Sequence, residues 1–449
     1  MQFEGAVLWK GDDGYEQARQ AAVWNFRKPE RYPAVIVQAQ SEQDIVNAVA
    51  LARERGLRVK ARAGGHAWSG SSVRSGMLID LSRLNQVSFD AGSGIASAQP
   101  GVKGRDLNGL LAEHDLFFPS GHCPSVGIGG FLLQGGWGWN SRAIGPACMS
   151  VVAVDVVTAA GELIHADAQH NSDYWWAARG AGGGYFGVVT RFYLRCHPRP
   201  TATYTRIDVY SLQDIDDVLG WALEFEPTQP PEFEFAILGT TPTLPDGRTV
   251  HDGTALMLMC QALMYDDDDA RAALARLDEC PAIDRALHRD KATAVSFTEL
   301  YDGPNAVEPE GVRWSADGMW TNVKGEALIE PAKQLFADVP TPESHVFWYP
   351  WRRQQFDDAA ISVQGDLYLA AFAGWHDPAQ DDHYVAWPTA HMQRMESLSE
   401  GIQLADENLR ERNARFLTDE NAARLEQLRA QHDPDGRFHS YLTASEASW

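Results

Sequence analysis

The stretch RAGGHAWSG, Arg62 to Gly70, closes a strand-like run on two adjacent glycines and then places a histidine. Adjacent glycines surrender side-chain packing and cost backbone entropy, so they are expected where the backbone turns tightly or approaches another group closely. A second such turn, PSGHCPSVGIGG, sets Cys123 between Gly121 and Pro124 ahead of further glycines. Each turn thus offers one nucleophilic side chain, an imidazole or a thiol, on irregular backbone.

The surroundings of the first turn read as alternating strand and helix. RYPAVIVQAQ carries a β-branched run. SEQDIVNAVALARERG follows with Ser41 as N-cap, Asp44 at the capping-box position, apolar Ile45, Val46, Val49 and Ala52, and Gly56 as the stop. LRVKARAGGH predicts a second strand and GMLIDLSRLNQVSFD a third segment, so the order is β-α-β-β, an α+β layer. Residues 119–190 are rich in glycine and aromatics. From about 200 to 400 the texture changes to ATYTRIDVY, EFEFAIL and TALMLMCQALMY, which predict an antiparallel sheet flanked by helices. The tail predicts a helix from Asp419 to His432 whose stripe Ala422, Leu425 and Leu428 must dock on another element. The expected organisation is 1–200, 201–410 and a returning segment 411–449.

Composition narrows the function classes. A net charge of −23 opposes binding to a phosphate backbone, which makes nucleic acid an unexpected partner. No apolar run approaches membrane-spanning length and the start has no signal-peptide pattern, so the expectation is a cytoplasmic protein with no membrane partner. The cysteines, Cys123, Cys148, Cys196, Cys260 and Cys280, form no zinc spacing and are odd in number, so neither a metal centre nor a disulfide framework is expected. The acidic run at 266–269 reads as a solvated helix start.

Gly182-x-Gly184-x-x-Gly187 matches the dinucleotide fingerprint nominally, but helix-like SDYWWAAR precedes it and β-rich VVTRFYL follows, the reverse of a Rossmann turn. Phosphate-binding GxxxxGK[ST] and the GxSxG elbow are absent. In the first glycine turn, by contrast, the backbone N–H groups of Gly64, Gly65, His66 and Ala67 and the hydroxyls of Ser69, Ser71 and Ser72 can wrap an anion such as a pyrophosphate.

Together and in this order, RAGGHAWSGSS, MLIDLSRLN, PSGHCPSVGIGGFLLQGGWGW, VVAVDVVTAAGELI, SDYWWAARGAGGGYFGVVT and ENAARLEQLRAQHDPDGRF resemble the flavin-binding (PCMH-type) part of the vanillyl-alcohol-oxidase superfamily, in its berberine-bridge-enzyme-like branch. The resemblance implies a two-part FAD-binding domain, a substrate domain, and FAD attached twice: through His66 to the 8α-methyl carbon and through Cys123 to C6 of the ring. It further implies that the first turn holds the pyrophosphate. Gly121, Gly127, Gly129 and Gly130, with Gly187 and Val188, would line the rest of the cofactor, and Asn421 of the tail helix would lie near the flavin. Val126, three residues after the cysteine, is the small residue that the family associates with oxidases, implying dioxygen as the acceptor and hydrogen peroxide as the product.

The activity implied is removal of a hydride from an alcohol, a sugar or an amine. The rival readings are a dehydrogenase that uses another acceptor and a catalytically impaired flavin-binding protein. Relatives carry a Tyr near the end of the substrate domain as the base or its support; here Gln403 stands in that place. The base is therefore sought among Asp406, Glu407, Tyr368 and His376, residue types that can take a substrate proton.

Overall fold

In a computed structural model the chain is described at residues 1–244, 250 and 254–444. Ser41 accepts the Asp44 amide at 3.3 Å and starts the helix Glu42–Glu54. The Asp44 carboxylate does not reach back to Ser41; it caps the amides of Gln40, Glu4 and Gly5, tying down the first residues. Gly56, at φ +64°, ends the helix in the left-handed region. Ile45, Ala48, Val49 and Ala52 are buried, the i, i+3, i+4, i+7 stripe that seats the helix on a sheet. That sheet orders its strands Ala6–Trp9, Val35–Gln38, Met77–Asp80 and Val59–Arg62, the last three parallel. The predicted third segment is broken: Met77–Asp80 stays here and Val87–Asp90 leaves for the next sheet.

The second sheet has five antiparallel strands, in order Val87–Asp90, Ile95–Ala98, Gly187–Arg195, Val151–Thr158 and Leu163–Asp167. Helix Asp419–His432 returns to it, with Leu425 and Leu428 buried in the same cluster as Ala177, Phe186 and Phe192. The tail then reaches the first sheet: Val59 donates to the Arg437 carbonyl and accepts from the His439 amide.

The third sheet has eight antiparallel strands. Its central order is Ala202–Ser211, Ala255–Met264, Phe233–Thr240, His345–Pro350, Leu367–Trp375, Arg313–Thr321. Helices Ile215–Phe225, Asp267–Ala275, Glu326–Ala337 and Asp381–Arg394 contribute to one core with one face of this sheet. The run at 266–269 is indeed a helix start, with Asp266 capping the amides of Asp268 and Asp269. Side chains alternate along each strand. On Leu367–Trp375, residues Leu367, Leu369, Ala371 and Ala373 enter the helix-side core, whereas Tyr368, Ala370 and Phe372 point the other way. Phe233, Phe235 and Ile237 likewise oppose Ala236 and Leu238. This second face meets Trp24, Trp68 and Trp137 of the first two hundred residues, and a cavity opens between the two walls.

Candidate active site

The two glycine turns are packed against each other, backbone on backbone. A methyl group on Gly64 would lie 2.6 Å from the Gly127 amide nitrogen, and one on Gly127 2.9 Å from that of Gly64. Gly65 takes φ +75°, and a side chain there would strike the Ala22 carbonyl at 2.5 Å. No other residue type fits these places without moving a neighbour.

This contact brings the two nucleophiles to one cavity of about 410 Å³, within the range of small-molecule sites. His66 stacks on Trp24 at 4.8 Å between ring centroids and hydrogen-bonds the Ser125 backbone, two residues beyond Cys123. Burial, with Lys103 and Arg62 nearby, lowers its pKa to about 3, so the imidazole is neutral and keeps a lone pair. The Cys123 thiol donates to Glu308 Oε2 at 3.3 Å, and burial plus that carboxylate push it well above the ordinary thiol range. It is held as a thiol.

On the sheet side, Asp406 is the most heavily engaged group. Its Oδ2 accepts the Tyr368 hydroxyl and the Gln403 amide, each at 2.6 Å, and its Oδ1 accepts the Trp68 indole at 2.8 Å. Burial raises its pKa above the usual carboxylate value against the pull of these donors. Burial and Asp406 push the Tyr368 hydroxyl well up. Glu407 also meets the cavity, but its oxygens serve other ends: Oε1 accepts Ser69 at 2.5 Å and Oε2 the Leu409 amide at 3.1 Å, tying this loop to the first glycine turn.

Of the other expected site residues, Gly64, Gly65, Ala67, Gly121, Val126, Gly127 and Gly130 line the cavity. Six expected residues lie off the cavity wall. Ser69 is turned away to Glu407, leaving Ser71 and Ser72 on the wall. Gly129 packs on Pro100 and Ala63. Val188 enters the core with Val157, as the alternation of its strand dictates, and Gly187 lies against Val156; Gly182 and Gly183 line the cavity in their stead. Asn421 donates to the Ala359 and Ala360 carbonyls at 2.9 and 3.0 Å, so it clamps a strap rather than facing the cavity. His376 is exposed and paired with Glu343. Trp320 and Trp351 reach the cavity, whereas Trp348 is helix-side core and Trp314 is buried off the wall. Cys148 is buried with Ala359 and Ile361, its pKa pushed up to about 12.

The cradle suits a flat, anionic cofactor. Glycines from three separate segments form one wall, and a methyl group on Gly130 would meet nothing within 4 Å. Lys60 gives that side positive charge, and Arg62, paired with Asp80 at 2.8 Å, lines it as well. Comparison with known proteins agrees. The profile of the FAD binding domain family matches residues 33–167. An FAD-linked oxidoreductase of Penicillium ochrochloron, ptmO, is 32% identical over 96% of this chain and 95% of its own length. This chain is an FAD-linked oxidoreductase. The oxidoreductase is also 31% identical to nodO of Hypoxylon pulicicidum over 97% of both chains. Its fold matches the crystal structure of 6-hydroxy-D-nicotine oxidase from Arthrobacter nicotinovorans with a TM-score of 0.84 at 22% identity, over 98% of each chain. Carbohydrate oxidase from Microdochium nivale matches with a TM-score of 0.79 at 22% identity, over 97% of this chain and 96% of that one. Among the described residues, no helix is long and apolar enough to cross a membrane.

Trp68, Glu308 and Glu234 are cavity residues that the sequence reading missed. For Glu234 a signal existed: in EFEFAIL the phenylalanines claim one face of a strand, which assigns the carboxylate to the other.

Proposed function

We propose that the protein oxidises an alcohol, a sugar or an amine, with FAD joined to both His66 and Cys123 and dioxygen as the electron acceptor. The observation that carries this reading is the meeting of the two glycine turns, which turns a neutral imidazole and a thiol into one cavity. Val126 on the same wall supports the oxidase over the dehydrogenase. FAD, when bound, supplies the hydride acceptor and returns the electrons to dioxygen, giving hydrogen peroxide.

The chain's own part is proton handling and exclusion of water. Asp406, with its raised pKa, takes the proton from the substrate's O–H or N–H. Tyr368, Gln403 and Trp68 hold the carboxylate in one orientation, so no rotamer search precedes the transfer. Gln403 thereby fills the place of the family's Tyr as an orienting donor, and the phenol comes from the neighbouring strand instead. Trp137 packs edge to face on Trp320 and Trp351, and the three rings keep this part of the cavity apolar.

The test is acid precipitation of the purified protein followed by peptide mass analysis. Colour should stay with the pellet, with flavin mass on the peptides holding His66 and Cys123; colour released into the supernatant refutes covalent attachment. Air reoxidation of the reduced protein within seconds supports the oxidase, and many minutes supports the dehydrogenase.

A further inference from the structure

The substrate wall carries one carboxylate that the proposed chemistry does not use. Glu234 lies on the strand Phe233–Thr240, 1% exposed, on the face that lines the cavity. The Asn140 and Arg142 backbone and the Tyr349 hydroxyl lie near its carboxyl group, and Oε1 is buried without a hydrogen-bond partner. Nearby Arg142 is not its counter-ion: the guanidinium bonds Glu226 and the carbonyls of Phe233 and Pro230. Burial raises the pKa of Glu234 to about 7, against the pull of nearby Arg142. Charge elsewhere on the wall points the same way. The carboxylates of the lining after position 200 include Glu308, which lies 3.6 Å from the His345 imidazole, while Lys60 and Arg62, the latter paired with Asp80, both sit on the opposite, glycine-built side.

We propose that Glu234 anchors a positively charged nitrogen of the substrate, so that amines are preferred over alcohols and sugars of the same shape. The carboxylate receives a charge-assisted hydrogen bond from the ammonium. Its cross-strand neighbour Gln261 faces the same cavity and offers a second acceptor. Tyr349 and Trp351 add aromatic faces suited to a cation. Glu234 is a specificity residue in this scheme, and Asp406 remains the proton acceptor. The proposal rests on reading the cavity as the oxidase's substrate site.

The test compares tryptamine, a cationic aryl amine, with tryptophol, the corresponding neutral alcohol, by titration calorimetry on the purified flavin-loaded protein. Tryptamine should bind at least about tenfold more tightly, a difference of about 1.4 kcal/mol. Equal affinities, or no tryptamine binding, overturn the proposal without any variant. Glu234→Gln, at unchanged flavin content and melting temperature, should bring the two affinities to within about threefold, by loss of amine affinity alone; a preserved ratio overturns the role of Glu234. If that variant does not fold, Gln261→Glu serves: a second carboxylate across the strand should widen the ratio, and a ratio left unchanged or narrowed counts against the site. Because binding is read without turnover, a protein that lacks covalent flavin or is not reoxidised by air refutes the oxidase reading and leaves this result to be judged separately.

Discussion

The two walls of the cavity are built by opposite means. The first is made of main chain, from Gly64, Gly65, Gly121, Gly127, Gly130, Gly182 and Gly183, and its shape depends on side chains being absent. The second is made of side chains, Glu234, Trp320, Tyr349, Trp351, Tyr368 and Phe372, standing on the free face of a sheet. A backbone wall accepts one shape of cofactor and tolerates little change, because peptide groups cannot repack. A side-chain wall can be rewritten one residue at a time while the strands stay in register, which suits the part of an enzyme that chooses substrate.

Four experiments bear on that contrast. The largest effect belongs to the side-chain wall: Asp406→Asn should lower kcat by about 10²- to 10⁴-fold with flavin content unchanged, measured by steady-state turnover beside the visible spectrum. Loss of flavin together with activity would mean that the walls are not separable. On the backbone wall, Gly64→Ala forces a methyl into the Gly127 amide and should cost about 1–3 kcal/mol in thermal melts. Gly130→Ala meets no atom, so it should melt like wild type yet take up less flavin, the methyl occupying cavity rather than protein.

The third concerns pH. Asp406 must be ionised to accept a proton, and its pKa is raised, so kcat/KM falls as pH drops through that raised value and is full above it. The Tyr368 hydroxyl stabilises the ionised form. Tyr368→Phe therefore moves the acid limb of the profile to higher pH; a limb that stays in place or moves down assigns the titration to another group. The smallest effect is expected at Asn421→Ala, which frees two strap carbonyls and should cost about 1 kcal/mol without touching flavin attachment or the pH limb.

The same contrast explains how much the sequence disclosed. A backbone wall is written contiguously: RAGGHAWSG and PSGHCPSVGIGG each hold several of its residues within a dozen positions, and their meaning survives without knowledge of the fold. The side-chain wall gathers residues 234, 261, 320, 349, 368 and 406 from strands and a loop far apart in the chain, and only strand order makes them neighbours. Tyr368 and Asp406 were identifiable as residue types, but the bond between them was not. Position within a strand is equally hidden. Gly187 and Val188 read as part of a glycine-rich cofactor segment, yet ladder pairing with Val157 and Thr158 fixes them against the core, and the turn just before them does the lining. The contacts of Asn421 are hidden for another reason, since the carbonyls it holds belong to residues about sixty positions earlier.

The tail's return to the first sheet bears on the order of events during biosynthesis. Val59 pairs with Phe438, and Ser440, Tyr441 and Leu442 finish the wall that the early glycines begin. A nascent chain of two hundred residues on the ribosome thus holds both nucleophiles but only part of their enclosure. The enclosure is complete only once translation has passed residue 442.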